Sequence, residues 1–427
     1  MFQLFCPVSV ADSSAQLNPD QQRNALQNEN RAARHPVLRV LRASLPVPLA
    51  RSIGFNVSNN EVMRAATDGQ VNELNRLVAL GTNINRVNEN GRTPLMEAAR
   101  YGHEEFINRL VELGSNIDQR DNEGLTALVL AAQNGHEDAV NRLVELGADI
   151  GNEALRLAAA YSQLSVISRL AELGANVDHE NNFGNTALSS AAYFCKLDVV
   201  TRLVELGANI DRVDDYGDTA LSIVVRRVGL STRSHLSECR IRASHQNYYV
   251  DNRDRDYAMR VQRDRVNLVK RLAELGATID HAQRDGVTPL MESAACGRLD
   301  LVNIFLDHGA NVEHVDNVGN TALIEAAKHG HLDVVNRLVE CGANLNHAND
   351  DGNTALMEAA RRGYNPRVDL WRGDLYTIVN RLVELGANTR HVNNVGDTAL
   401  TLAANDGNLD VTYALLQADP TANGTIG

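Results

Sequence analysis

Gly319 to Asp351 reads GNTALIEAAKHGHLDVVNRLVECGANLNHANDD, 33 residues whose close copies run from Glu61 almost to the C-terminus. Self-similarity at this period marks an array of stacked units, each unable to bury its apolar face alone. Thr321-Ala322-Leu323 opens a short helix, and Ala326 and Ala327 are small enough for two helix backbones to approach. Gly330 breaks that helix, because glycine tolerates the left-handed turn needed there. Leu332 to Cys341 predicts a second helix, with Val334, Val335, Leu338 and Val339 at helical spacing. Gly342 stands where a helix ends on a left-handed residue. The Asn- and Asp-rich stretch from Ala343 to Asp351 suits a turn or hairpin reaching the next copy.

Gly-x-Thr-Ala/Pro-Leu, Ala-Ala, Gly-His-Leu-Asp-Val-Val and Leu-x-x-Gly-Ala-Asn recur at fixed spacing. In this the chain resembles the ankyrin repeat, over roughly 360 of its 427 residues. The resemblance implies an all-α solenoid of about ten helix pairs with short β-hairpin or turn connections, a protein partner and no cofactor. One departure is visible. The histidine that follows Thr-Pro-Leu in the family is replaced by Met96, Val129, Arg156, Ser189, Ser222, Met291, Ile324, Met357 and Thr401. Its bonds to neighbouring turns must be supplied otherwise or forgone.

The net charge of −13 disfavours a nucleic-acid partner, since phosphate binding draws on Lys and Arg. Five scattered cysteines suit a reducing compartment rather than a disulfide framework. No run approaches the ~18 apolar residues of a membrane span. The expectation is a soluble, monomeric, cytoplasmic protein. Only Lys196, Lys270 and Lys328 are lysines among 41 basic residues, chiefly because Asn-Arg-Leu-Val-Glu-Leu-Gly is copied along the chain. No phosphate loop, His-Glu-x-x-His or activated nucleophile context is present, which argues against an enzyme.

The copies divide the chain into a non-repeat segment 1–59, a first array 60–227, an arginine-rich insertion 228–264, a second array 265–419 and a tail 420–427. Pro36 to Phe55 suggests a capping helix, with a membrane-surface segment or an F-box fragment at Leu45-Pro46 as weaker readings. The insertion's stretch from Val228 to Arg263 carries seven arginines and four acids and is expected to form a self-screened loop or an arm for an acidic partner. A second insertion, 364–374, holds Trp371. Between the arrays Val224-Val225 replaces Ala-Ala, which predicts a local change in stacking. Arg-x-x-Glu pairs such as Arg109/Glu112 are read as a solvated outer face. A histidine row, His179, His281, His314, His347 and His391, follows the hairpins. One histidine per unit is too widely spaced to close a zinc site. His235, Cys239 and His245 form a looser metal candidate without an evident fourth ligand.

Function is sought where the copies differ. The residues ending the first helix and those just before each unit vary while the framework repeats. Aromatics number 18 in 427 residues, yet Tyr161, Phe183, Tyr193, Phe194 and Tyr216 gather in adjoining units beside Arg226 and Arg227, with Tyr101 farther upstream. These residue types are enriched in interface hot spots. They are the candidate protein-binding residues; the competing reading lets Tyr193 and Phe194 fill the gap left by a shortened upstream hairpin. The functional reading is a non-catalytic scaffold or adaptor. Alternatives are a secreted effector acting in a host cytosol and a ubiquitin-ligase substrate adaptor.

Overall fold

The computed structural model describes residues 59–151, 153–228, 252–361 and 372–418. The expectations for the N-terminal segment, for His235, Cys239 and His245, for Trp371 and for the tail lie outside the described residues. Among those described, twenty helices form ten consecutive pairs. The first five pairs are α1 (Asn59–Thr67) and α2 (Val71–Ala79), α3 (Pro94–Arg100) and α4 (Glu104–Glu112), α5 (Ala127–Asn134) and α6 (Glu137–Glu145), α7 (Glu153–Ala160) and α8 (Leu164–Glu172), and α9 (Ala187–Tyr193) and α10 (Leu197–Glu205). Then come α11 (220–228) and α12 (Asn252–Glu274). The last four pairs are α13 (Pro289–Ala295) and α14 (Leu299–Asp307), α15 (Ala322–His329) and α16 (Leu332–Glu340), α17 (Ala355–Ala360) and α18 (Arg372–Glu384), and α19 (Ala399–Asn405) and α20 (Leu409–Ala418). Two compact units divide the chain, one from residues 59–131 and 138–149, the other from 132–137 and 150 onward.

The inner helices other than α1 and α7 start on a threonine whose hydroxyl caps them. Thr93 accepts from Met96 N at 3.2 Å and Thr186 from Ser189 N at 3.2 Å. Such a cap stabilises a helix by ~1 kcal/mol, which matters for helices this short. The Ala-Ala pairs are fully buried where inner helices pack side by side, as α13, α15 and α17 do. The outer helices bury Val334, Val335 and Leu338 and their equivalents. They end in a closed turn in which Ala343 N donates to Leu338 O and Gly342, at φ 92°, donates to Val339 O. The connections are turns rather than extended hairpins. Among the described residues the one strand-like pairing is Ala348 with Thr354.

Neighbouring turns are tied by the histidine row. His281, His314, His347 and His391 each donate through Nε2 to the carbonyl of the glycine that opens their own unit, Gly217, Gly286, Gly319 and Gly352, at 2.9–3.1 Å. That engages the nitrogen a metal would need and gives these four a framework role. The arginines of the outer helices also do more than face solvent. Arg109 Nε donates to Asn75 Oδ1 of the preceding unit at 2.7 Å while its Nη1 holds Glu112 at 2.9 Å. Arg337 and Arg381 repeat the bond to Asn303 and Asn336, each at 2.7 Å.

Two sequence expectations need correction. The stacking change at Val224-Val225 is not seen. Both valines are buried, and across the insertion Arg271 Nε still reaches Thr201 Oγ1 at 3.3 Å and Thr278 N still reaches Asp211 Oδ1 at 2.7 Å. Valine adds only two methyl groups to alanine, which this contact absorbs without parting the outer helices. The second helix of this unit was expected near Arg265 but begins at Asn252. Residues 252–274 contain neither Gly nor Pro and are rich in Arg, Leu and Val, so nothing breaks the helix earlier.

Candidate functional site

The aromatic residues of the second unit fall into two groups. Tyr193 closes α9 and Phe194 caps it, their rings edge to face at 5.1 Å and 79°. The guanidinium of Arg227, on α11, lies 3.8 Å from the centroid of the Tyr193 ring, a cation–π contact. Tyr161 follows α7, which packs against α9. Phe183 and Tyr216 form the other group, at the tips of successive turns. Asp215 N donates to Phe183 O at 3.2 Å, joining those turns. Helix α9 separates the groups by its length, about 10 Å at 1.5 Å per residue. Tyr101 belongs to the first compact unit, where Arg100 lies 5.5 Å over its ring.

The five candidate aromatics in the second unit stand in solvent: Tyr193 is 47% exposed, Phe194 53%, Tyr161 56%, Phe183 60% and Tyr216 65%. Half-exposed rings do not plug a gap, so the filling role weighed for Tyr193 and Phe194 does not account for them.

The turn residues are held by their backbones alone. Phe183 N donates to Asn181 Oδ1 and Tyr216 N to Asp214 Oδ1, each at 2.9 Å. The carbonyls of Asn90, Phe183, Asp285, Val318 and Asp351 each accept from the following turn at 3.0–3.2 Å. This explains how these positions vary while the turns do not.

Arg226 behaves differently from the rest of the set. Its two Nη groups hold Asp218 in a fork at 2.6 and 2.7 Å, and Nη2 also donates to Gln283 Oε1 at 2.6 Å. Ser222 Oγ adds a bond to Asp218 Oδ1 at 3.2 Å. Burial lifts the Asp218 carboxyl above the usual carboxylate range, and the Arg226 charge pulls against that lift. In other copies Asn320 and Asn353 occupy the Asp218 position and bond Glu325 and Glu358 on the helix. Here Ile223 stands in the glutamate's place, and the acid has moved to residue 218. Arg226 is thereby tied into the framework, whereas Arg227 stays with the aromatics.

Sequence reasoning missed a feature of this region. The turn between the paired helices is left-handed, and glycine holds it at Gly102, Gly135, Gly297, Gly330 and Gly407. Behind Tyr161 and Phe194 the position is filled by Ser162 at φ 64° and Cys195 at φ 56°, the non-glycine residues with positive φ among those described. The signal lay in the same alignment of copies that exposed the aromatics. A left-handed L-residue costs ~1–2 kcal/mol, while glycine adds up to ~1 kcal/mol of unfolded-state entropy. Cys195→Gly is therefore expected to stabilise the chain by about 0.5–1 kcal/mol, read as a raised urea midpoint at unchanged slope.

The family match agrees with this architecture. The family description "Ankyrin repeats (3 copies)" matches residues 62–154, 155–232, 257–349 and 311–372, and "Ankyrin repeat" matches 395–424. No curated protein matches the sequence. Among solved structures, the ankyrin repeat domain of Bcl-3, described as a unique member of the IkappaB protein family, is similar at 24% identity and a TM-score of 0.47, over 63% of this chain and 98% of that one. From the recurring helix pairs to the family match over most of its length, the chain belongs to the ankyrin repeat family.

Proposed function

We propose that this chain is a non-catalytic scaffold or adaptor that recognises a protein partner through the aromatic surface of its second compact unit. Ankyrin repeats are in general protein-interaction modules. The observation that carries the reading is the exposed cluster of Tyr193, Phe194 and Arg227, in which an arginine is stacked on a tyrosine and pairs with no acid among the described residues. Tyr, Phe and Arg are the side chains that most often supply interface energy, because they bury a large area at small conformational cost. Phe183 and Tyr216 extend the surface at the turns. The reading places a monomer in the cytoplasm. Among the described residues no helix is long and apolar enough to cross a membrane.

The test is affinity capture with the intact chain and with a Tyr193→Ala, Phe194→Ala, Tyr216→Ala variant. These side chains are exposed, so the variant should keep its helical circular dichroism and melting point within a few degrees. A partner retained by the intact chain should bind the variant at least ~10-fold more weakly, as expected when hot-spot residues are truncated. Undiminished affinity in the folded variant would move the site elsewhere.

A further inference from the structure

One edge of the aromatic cluster carries positive charge that no carboxylate among the described residues neutralises. Arg265, on α12, donates through Nη1 to the carbonyl of Arg227 at 3.0 Å, which brings a second guanidinium up to α11. The Nε of Arg227 and the Nε of Arg265 are both shut away from solvent with no hydrogen-bond partner. Among the described residues neither guanidinium pairs with a carboxylate. Their neighbours do: Arg226 holds Asp218, Arg202 reaches Glu205 at 3.2 Å and Arg271 reaches Glu274 at 3.4 Å. Asp264, next to Arg265 in the chain, is exposed and bonds neither arginine.

Two partly desolvated guanidiniums, one on the Tyr193 ring and one on the carbonyl of Arg227, thus sit on neighbouring helices of a chain whose net charge is −13. Arginine is matched in shape to oxyanions and gains most when its charge is met in a partly dry setting. Stacking on Tyr193 fixes the plane of Arg227, so little side-chain freedom remains to be lost on binding.

We propose that Arg227 and Arg265 are the anion-binding end of the recognition surface. They take the carboxylate of an Asp or Glu in a peptide segment of the partner, and Tyr193 and Phe194 cover an apolar residue beside it. This deepens the reading above and rests on it. On a chain this acidic, an acidic segment is repelled almost everywhere and attracted at this spot. The pair therefore sets the register of the bound segment as well as its affinity.

Phage-displayed random dodecapeptides selected on the intact chain supply the probe, and the best of them is synthesised with a fluorescein label. The selected sequences are expected to share an Asp or Glu next to an apolar residue. Arg227→Gln and Arg265→Gln should each weaken the labelled peptide about tenfold. Changing the peptide's acid to its amide should cause a similar loss that does not add to the arginine losses. Arg227→Lys, which keeps the charge, should lose less than Arg227→Gln, and melting curves identify any variant that fails to fold. Peptides free of acid that bind both glutamine variants at full strength, yet lose affinity for Tyr193→Ala/Phe194→Ala, would overturn the anion assignment and leave the aromatic surface standing. Peptides indifferent to the aromatic and arginine changes alike would sink both. A phosphoserine version binding more than tenfold tighter than the carboxylate peptide would overturn the carboxylate in favour of a phosphorylated segment.

Discussion

Phe305→Ala lowers the stability of the second compact unit by about 3–5 kcal/mol. Phe305 sits on α14 and is fully buried, and it takes the position that Leu338 holds on α16. Helix α14 packs on α12 before it and on α16 after it. Truncating the ring removes its transfer free energy and leaves a cavity that rigid neighbours on both sides cannot close. In an array stabilised by nearest-neighbour contacts the damage also stays local. Amide exchange should therefore rise first in α12 to α16, before the first unit responds. Urea unfolding with an intrinsic helical signal checks the magnitude. A loss below ~1 kcal/mol would mean that the site collapses around the smaller residue.

Arg226→Ala should cost about 2–3 kcal/mol at neutral pH and much less in acid. Asp218 is 4% exposed at its side chain and its principal counter-charge is Arg226. Removing one partner of a buried ion pair typically costs ~3–5 kcal/mol. Arg226 is 38% exposed, so screening by water reduces that figure. The pH dependence follows from the raised carboxyl of Asp218, whose main cause is burial. An acid whose pKa is higher in the folded chain than in the unfolded one holds its proton more tightly when folded. Its contribution is fully favourable below the unfolded value and is lost as pH rises through the folded value. Without Arg226 the folded value climbs further, so the gap between variant and parent should narrow steadily on titration from pH 7 towards pH 4. Asp218→Asn in the same background should recover much of the loss at pH 7, because the amide carries no charge to bury. A gap independent of pH would show that the arginine acts by packing alone.

The helix pairs could be read from Gly319–Asp351 because the period, the small Ala326-Ala327 contact and the left-handed glycines are all local features of the chain. What could not be read was which partner a polar side chain finds across units. Arg109 looked like one half of an exposed Arg-x-x-Glu pair, and its bond to Asn75 joins residues 34 apart. The histidine row looked like inherited spelling, and its bonds to glycine carbonyls depend on how turns stack. Arg226 and Arg227 were indistinguishable as neighbours in sequence. Helical geometry sends them in different directions, one towards Asp218 and Gln283, the other onto Tyr193. The aromatic cluster was legible because it breaks the monotony of the copies. Its strained turns at Ser162 and Cys195 lay in the adjacent column of the same comparison and went unread.

Phe183 and Val318, each just before an opening glycine, lend the array a carbonyl and an amide, Tyr216 in the same place lends an amide, and the side chains of Phe183 and Val318 have no hydrogen bond to give. Any amino acid save proline, which lacks the amide, fits there without disturbing how the protein folds. Drift at Phe183, Tyr216 or Val318 is thus nearly invisible to selection for stability and fully visible to selection for a new target. An ancestor could change allegiance through single-codon steps, with a folded protein at every stage.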